Sequence, residues 1–186
     1  MPYFYSTDRK RSLQVGQQVD LIKDYSPQLP SGQSFFPNSD LKVHLNELFP
    51  EGLSFHGFQY LLNSNYLPQP PYHEHFYYKS PIIDLVFELV RKTSFPDKPS
   101  RFQSMFAWDS LDRAKNFRLE YNLPDAPIFK IHADTVFCAD MQLLRLGNLG
   151  VTASFMADKY WKGEATEKPD WEYLLKLPVQ VVEQVA

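Results

Sequence analysis

Cysteine, glycine and surplus basic charge are all scarce in this 186-residue chain, and each shortage closes off a class of protein. The single cysteine, Cys138, has no partner for an internal disulfide, which argues against a disulfide-stapled secreted domain and for a reducing compartment. Only 7 glycines occur, and none stands in a GxGxxG, GxxxxGKS or GxSxG pattern, so the usual phosphate cradles and the nucleophile elbow have no support. The 19 basic residues are outnumbered by 22 acidic ones, giving a net charge of -3; a long phosphate-gripping surface is not expected, although a local patch is allowed. No apolar run reaches the length of a membrane span, and MPYFYSTDRKRS lacks the apolar centre of a secretory signal. The expectation is a cytoplasmic protein with no membrane partner.

What is present is enough apolar material, 44% of residues, for one sizeable core, so residues 1–186 are expected to form a single domain. Alternation predicts an opening strand over Pro2–Thr7, with Tyr3, Tyr5 and Thr7 on one face and Phe4 and Ser6 on the other. SPQLPSGQSFFPN reads as a loop, after which Asp40 is expected to cap a helix bearing Leu41, Leu45 and Leu48. Ser54 caps a second helix, Ile82–Lys92 reads as a buried helix, and RFQSMFAW as a strand. A helix capped by Asp109 or Ser110 turns Leu111, Ala114, Phe117 and Tyr121 inward; IFKIH and TVFC follow as strands, Ala153–Trp161 as a helix, and WEYLLKLPVQVV as one or two strands. Strands and helices mix without regular βαβ spacing, which predicts an antiparallel α+β domain.

Several candidate sites carry little chemistry. His73 and His75 form an HxH pair with no further ligands in view, so no metal site is expected. Cys138 with His132 would suit a thiol nucleophile, but TVFC is apolar and strand-like, which favours an inert thiol. Three other segments say more together. YFYSTDR offers hydroxyls, backbone groups and Arg9 at a strand end. SRFQSMFAWDSLDRAKNF is read with Phe102, Ser104 and Phe106 on one strand face, a hydroxyl between aromatic surfaces; the plainer reading is core phenylalanines with a satisfied interior serine. In WEYLLKLPVQV, Trp171, Tyr173, Leu175 and Leu177 share one face, while Glu172 stands with Leu174 and Lys176 on the other. A carboxylate in such a strand is either an edge charge that discourages sheet pairing or a functional group.

The order of these segments resembles the ADP-ribosyltransferase superfamily over most of the chain, most closely its small bacterial toxin–antitoxin and phage-defence enzymes of the DarT-like and CmdT-like kind. YFYSTDR resembles the superfamily's first strand, with Ser6 where many members carry His; MFAWDSLDRAKNF resembles its middle strand and helix; and WEYLLKLPVQV is similar to the motif that places a glutamate on a late strand. The resemblance implies a split antiparallel sheet core with flanking helices and NAD as co-substrate. It implies Glu172 as the catalytic carboxylate, Arg101 as a basic residue near the cofactor, and Tyr5, Ser6, Thr7, Arg9, Ser104 and Phe106 as cofactor contacts. It also implies a nucleic-acid or protein acceptor and an antitoxin partner. Cleaving nicotinamide from ribose builds oxocarbenium character on the sugar, which a fixed carboxylate stabilises. Glu164 and Glu167, in the preceding loop, are the rival carboxylates. The alternatives are an NAD glycohydrolase using the same residues and a non-catalytic module binding protein through the aromatic segment Tyr66–Tyr78.

Overall fold

The computed structural model describes residues 3–26, 37–62 and 79–186. The segment SPQLPSGQSFFPN lies mostly outside them, and the HxH pair and the Tyr66–Tyr78 segment wholly so.

The described residues form an α+β structure of two antiparallel sheets and five α-helices. The first sheet holds β1 (Tyr3–Thr7), β4 (Ile128–His132), β7 (Val179–Gln184) and β2 (Gln18–Val19), in that spatial order. The second holds β3 (Ser104–Ala107), β6 (Trp171–Lys176) and β5 (Val136–Asp140), with β6 central. One antiparallel bridge joins their edges, where Tyr5 and Trp108 exchange N–H···O bonds of 2.8 and 2.9 Å. The helices are α1 (Asn38–Leu48), α2 (Phe55–Leu62), α3 (Lys79–Ser94), α4 (Leu111–Glu120) and α5 (Gly150–Lys162). No helix among the described residues is long and apolar enough to cross a membrane.

Period-two alternation on β6 decides the layering. Leu175, from one face, joins Phe4, Ala107, Phe129, Ile131 and Val181 in a core shared by the two sheets, against which Tyr173 also packs. Leu174, from the other, joins Phe87, Phe137, Ala157, Tyr160 and Trp161 in a second core beneath α3 and α5. The central sheet is therefore covered on both sides, and Glu172, which shares the Leu174 face, is carried into the interior with only 3% of its surface exposed.

Several local expectations need correction. Arg101–Gln103 form a turn of 3-10 helix rather than strand, because the Ser100 hydroxyl accepts from the Phe102 N–H at 3.1 Å. Phe102 consequently leaves the strand and packs edge-on to Phe49, in a third core with Leu45 and Leu53. Asp40 lies inside the first turn of α1, whose N-cap is Pro37. Helix α3 extends beyond Ile82–Lys92 and is not buried all round: Ile83 and Phe87 point inward, while Ile82, Leu85 and Leu89 are exposed. Tyr121 ends α4 exposed, its ring 4.3 Å from that of Phe117, rather than inside. Ser54 and Ser110 do cap α2 and α4, accepting from Gly57 N and Arg113 N.

Helix α2 meets the 101–103 turn at Gly57, where a Cβ would come within 2.3 Å of the Phe102 carbonyl oxygen. The obstacle is backbone, so Gly57→Ala is expected to cost about 1–3 kcal/mol despite the better helix propensity of alanine. Urea unfolding of the purified variant measures this directly.

Candidate functional site

Beneath α3 and α5 the chain buries a group of charged and polar side chains drawn from five separate segments. The position of Arg101 is built from α3. The Glu88 carboxylate accepts from Arg91 through two nitrogens, at 2.8 and 3.0 Å, and from the Ser100 hydroxyl at 2.9 Å. Arg91 reaches on to the Lys98 carbonyl at 2.9 Å. These bonds fix the segment entering the 3-10 turn and project Arg101 inward.

There the Arg101 guanidinium donates from Nε to Asp84 Oδ1 at 2.9 Å, from Nη1 to the Tyr160 hydroxyl at 2.6 Å, and from Nη1 to Glu172 Oε1. Tyr160 in turn donates to the same Glu172 oxygen at 2.8 Å. His56 of α2 pairs through Nε2 with the second oxygen of Asp84 at 2.6 Å. The Phe106 ring lies against the middle and one end of this chain, 4.6 Å from the Arg101 guanidinium and 4.7 Å from the His56 ring. Asp84, Arg101, Tyr160 and Glu172 are all buried, whereas Phe106 is only partly buried and the His56 side chain keeps 14% of its surface. The cluster thus approaches solvent through His56 and Phe106.

Two carboxylates, Asp84 and Glu172, share one guanidinium, and Asp84 also faces His56. The titration behaviour follows from burial and from the charges packed around each group. Burial pushes the Glu172 carboxyl up, more than Arg101 and Tyr160 pull it down, and Asp84 adds to the rise. Burial also pushes on Asp84, but Arg101 and His56 prevail and hold it below the usual aspartate range. Burial works against the Arg101 charge as well, yet Asp84 and Glu172 hold it more firmly than in water. Tyr160, raised well above its ordinary value by burial and by Glu172 against the pull of Arg101, remains a neutral donor.

The two carboxylates therefore act oppositely on stability. The folded protein binds the Glu172 proton more tightly than the unfolded chain, so Glu172 lowers stability as pH rises from about 4.3, the ordinary glutamate value, through its raised folded value. Asp84 contributes fully above about 3.9, and its contribution is lost as pH falls through its depressed folded value. The stability of Glu172→Gln relative to the natural protein is accordingly expected to grow as pH rises above about 4 and to flatten once Glu172 is ionised. Urea midpoints measured across that range check the sign.

A second set of bonds shapes the approach to Glu172. Gly163, at φ 75°, ends α5, and the loop that follows is tied to β5 by Asp140. The Asp140 carboxylate accepts from Thr166 N, the Thr166 hydroxyl, Asp170 N and Gln142 N, all within 2.9 Å. Burial would raise this carboxyl, but those donors hold it low. Glu172, the second residue of β6, thus follows closely on an anchored loop.

The residues selected from sequence are only partly brought together. Glu172, Arg101 and Phe106 belong to the cluster. Ser6 connects β1 to it indirectly, its hydroxyl donating to the Phe106 carbonyl at 2.8 Å. The buried Ser104 hydroxyl is turned to the Ser100 carbonyl at 2.7 Å, the arrangement of a satisfied interior serine, and does not contact Glu172. Tyr5 packs toward Trp108, Ala114 and Ile128; Thr7 donates to the Ala114 carbonyl at 3.4 Å; and Arg9 is exposed with its guanidinium 5.9 Å from the Phe117 ring centre. Those three side chains face α4, away from the cluster. A depression beside α4, lined by Trp108, Arg113, Asn116, Phe117, Glu120 and Asp170, likewise contains no cluster residue. Glu164 and Glu167 are exposed, the former paired with Lys159. Cys138, its thiol pushed up by burial, lies beside Tyr173 on the second sheet, while His132 is on the first sheet against Tyr3. No cluster of metal-ligating residues occurs among those described.

Sequence reasoning missed Asp84, Tyr160 and His56. Asp84 carried a usable signal: with Glu88 it forms an i, i+4 acidic pair inside the apolar run IIDLVFELV. Tyr160, beside Trp161, looks like any core aromatic.

An α+β protein with an acid–guanidinium–phenol cluster on the central strand of a covered sheet is the class that fold and site define. The family model described as "Protein of unknown function (DUF2441)" matches residues 4–186, and the chain belongs to that family. Comparison with curated proteins gave no match.

Proposed function

We propose that this protein is an NAD-dependent ADP-ribosyltransferase with Glu172 as its catalytic carboxylate. The observation that carries the reading is the buried Glu172 carboxylate, whose guanidinium partner Arg101 is shared with Asp84. A buried charge without a full partner is costly for stability, and such arrangements concentrate where chemistry needs them. Here a positively charged reaction centre supplies the missing partner: nicotinamide riboside is cationic, and its ribose turns positive as the glycosidic bond breaks. That bond's electron pair goes to the nicotinamide nitrogen, nicotinamide leaves neutral, and the acceptor forms the new bond to the sugar carbon and gives up a proton.

Two further observations support the assignment. Arg101 and Tyr160 hold the Glu172 oxygen in a fixed position, so the carboxylate needs little reorganisation during reaction. The partly exposed Phe106 ring offers a stacking face beside them. The two antiparallel sheets, joined at the edges of β1 and β3, are consistent with the split-sheet core of that superfamily. In this reading the acceptor is RNA or DNA. Lys10 over the exposed Phe55, the neighbour of His56, brings a cation and an aromatic surface together, materials that hold single strands. The setting is cytoplasmic, and a toxin of this kind is held in check by an antitoxin protein.

The test is incubation with NAD labelled in the adenylate phosphate, together with RNA, single-stranded DNA and total cell protein. Label in a nucleic-acid fraction supports the full reading. Label only in protein moves the acceptor class, and free ADP-ribose alone makes the enzyme a glycohydrolase. Intact NAD with no label transferred removes the enzymatic reading.

A further inference from the structure

We infer that His56 is the base that takes the acceptor's proton, an assignment that rests on the transferase reading of the Glu172 cluster. ADP-ribosyl transfer releases one proton for each bond formed to the sugar, because an acceptor O–H or N–H must lose its hydrogen. Glu172 is poorly placed to receive it. Its Oε1 already accepts from Arg101 and Tyr160, and its role at the ribose requires it to remain negative.

His56 has the features that the task needs. It is the most exposed ionisable member of the cluster, at 14% of its side-chain surface, and so stands where an acceptor would enter. Its ring is held by aromatic neighbours on more than one side, with Tyr60 at 4.0 Å, Phe106 at 4.7 Å and Phe102 stacked at 6.3 Å. Its Nε2 is 2.6 Å from Asp84, whose other oxygen is bound by Arg101. The Arg101 contact keeps Asp84 ionised, and an ionised aspartate fixes the proton on Nε2 and the lone pair on Nδ1. This is the orienting arrangement by which an acid–histidine pair prepares a base, built here from α2 and α3. Phe106 touches both the His56 ring and the Arg101 that grips Glu172, so one ring links the proton acceptor to the residue holding the carboxylate.

The step is balanced without a further reactant. The acceptor's O or N attacks the ribose carbon as nicotinamide departs with the electron pair of the old bond. The acceptor's hydrogen passes to His56 Nδ1 and then to solvent. Asp84 remains unprotonated, positioning the ring throughout.

Nicotinamide release from NAD, with water, RNA and single-stranded DNA as acceptors, gives the readout. His56→Gln is expected to slow it about 10²- to 10⁴-fold, the usual contribution of a positioned base. His56→Ala should fall equally and recover on addition of free imidazole, a rescue that a purely structural histidine would not show. Independently of activity, nitrogen NMR of the natural protein should find His56 in the Nε2–H tautomer, and Asp84→Asn should disturb it. Full activity in a folded His56→Gln protein, or an Nδ1–H tautomer in the natural one, overturns this assignment while leaving the Glu172 reading intact. Absence of nicotinamide release from the natural protein overturns both.

Discussion

Arg101→Met should lower the free energy of unfolding by about 3–5 kcal/mol. Methionine fills much of the same volume but leaves Asp84 and Glu172 buried with no guanidinium between them, and Tyr160 loses the donor at 2.6 Å. The variant can relieve this by taking up a proton in the cluster, so its deficit should widen as pH rises. Arg101→Lys should recover only part of the loss, because one ammonium cannot reproduce the fork that reaches Asp84 through Nε and Glu172 and Tyr160 through Nη1. Urea unfolding of the three proteins at two pH values measures both effects. A loss below about 1 kcal/mol, the range of an exposed pair, would mean that the cluster is solvated in solution.

Glu172→Gln should separate stability from activity. Glutamine keeps an oxygen where Arg101 and Tyr160 donate, so the local hydrogen bonds survive, while the negative charge disappears. Stability at neutral pH should match or exceed that of the natural protein, since burial already makes this carboxyl reluctant to ionise. Catalysis should fall about 10²- to 10³-fold, as when one preorganised stabilising group is removed from an active site. A group kept for architecture behaves the other way: its removal costs stability and changes no rate. Proteins often hold such destabilising groups only where function requires them.

How far the sequence revealed this site depended on the element carrying each residue. On β6 the two-residue period is strict, so a charge interrupting an apolar face announces itself, and Glu172 lies on the face that alternation assigns to it. On α3 the same kind of signal was obscured. Apolar residues surround that helix, with Ile83 and Phe87 inside and Ile82, Leu85 and Leu89 outside, so pattern alone does not show which side faces inward. Asp84 and Glu88 could be taken for solvent-facing charges, yet both are buried. In the Arg101 segment the alternating aromatics imitate a strand. The Ser100 cap turned it into a single helical turn, and that turn brings the guanidinium to Asp84. The Tyr5–Thr7 edge shows the reverse error: its hydroxyls looked available but are spent on the carbonyls of Phe106 and Ala114 or face α4. Local patterns identified strands and caps. The convergence of α2, α3, the 101–103 turn, α5 and β6 on one guanidinium is a tertiary fact with no local signature.

The most direct trial of the central claim is chromatographic measurement of nicotinamide released from NAD by the natural protein and by Glu172→Gln, both shown to be folded by circular dichroism. The account predicts release by the natural protein and a rate at least about 100-fold lower for the variant. Equal rates from the two proteins, or no release from either, would contradict it.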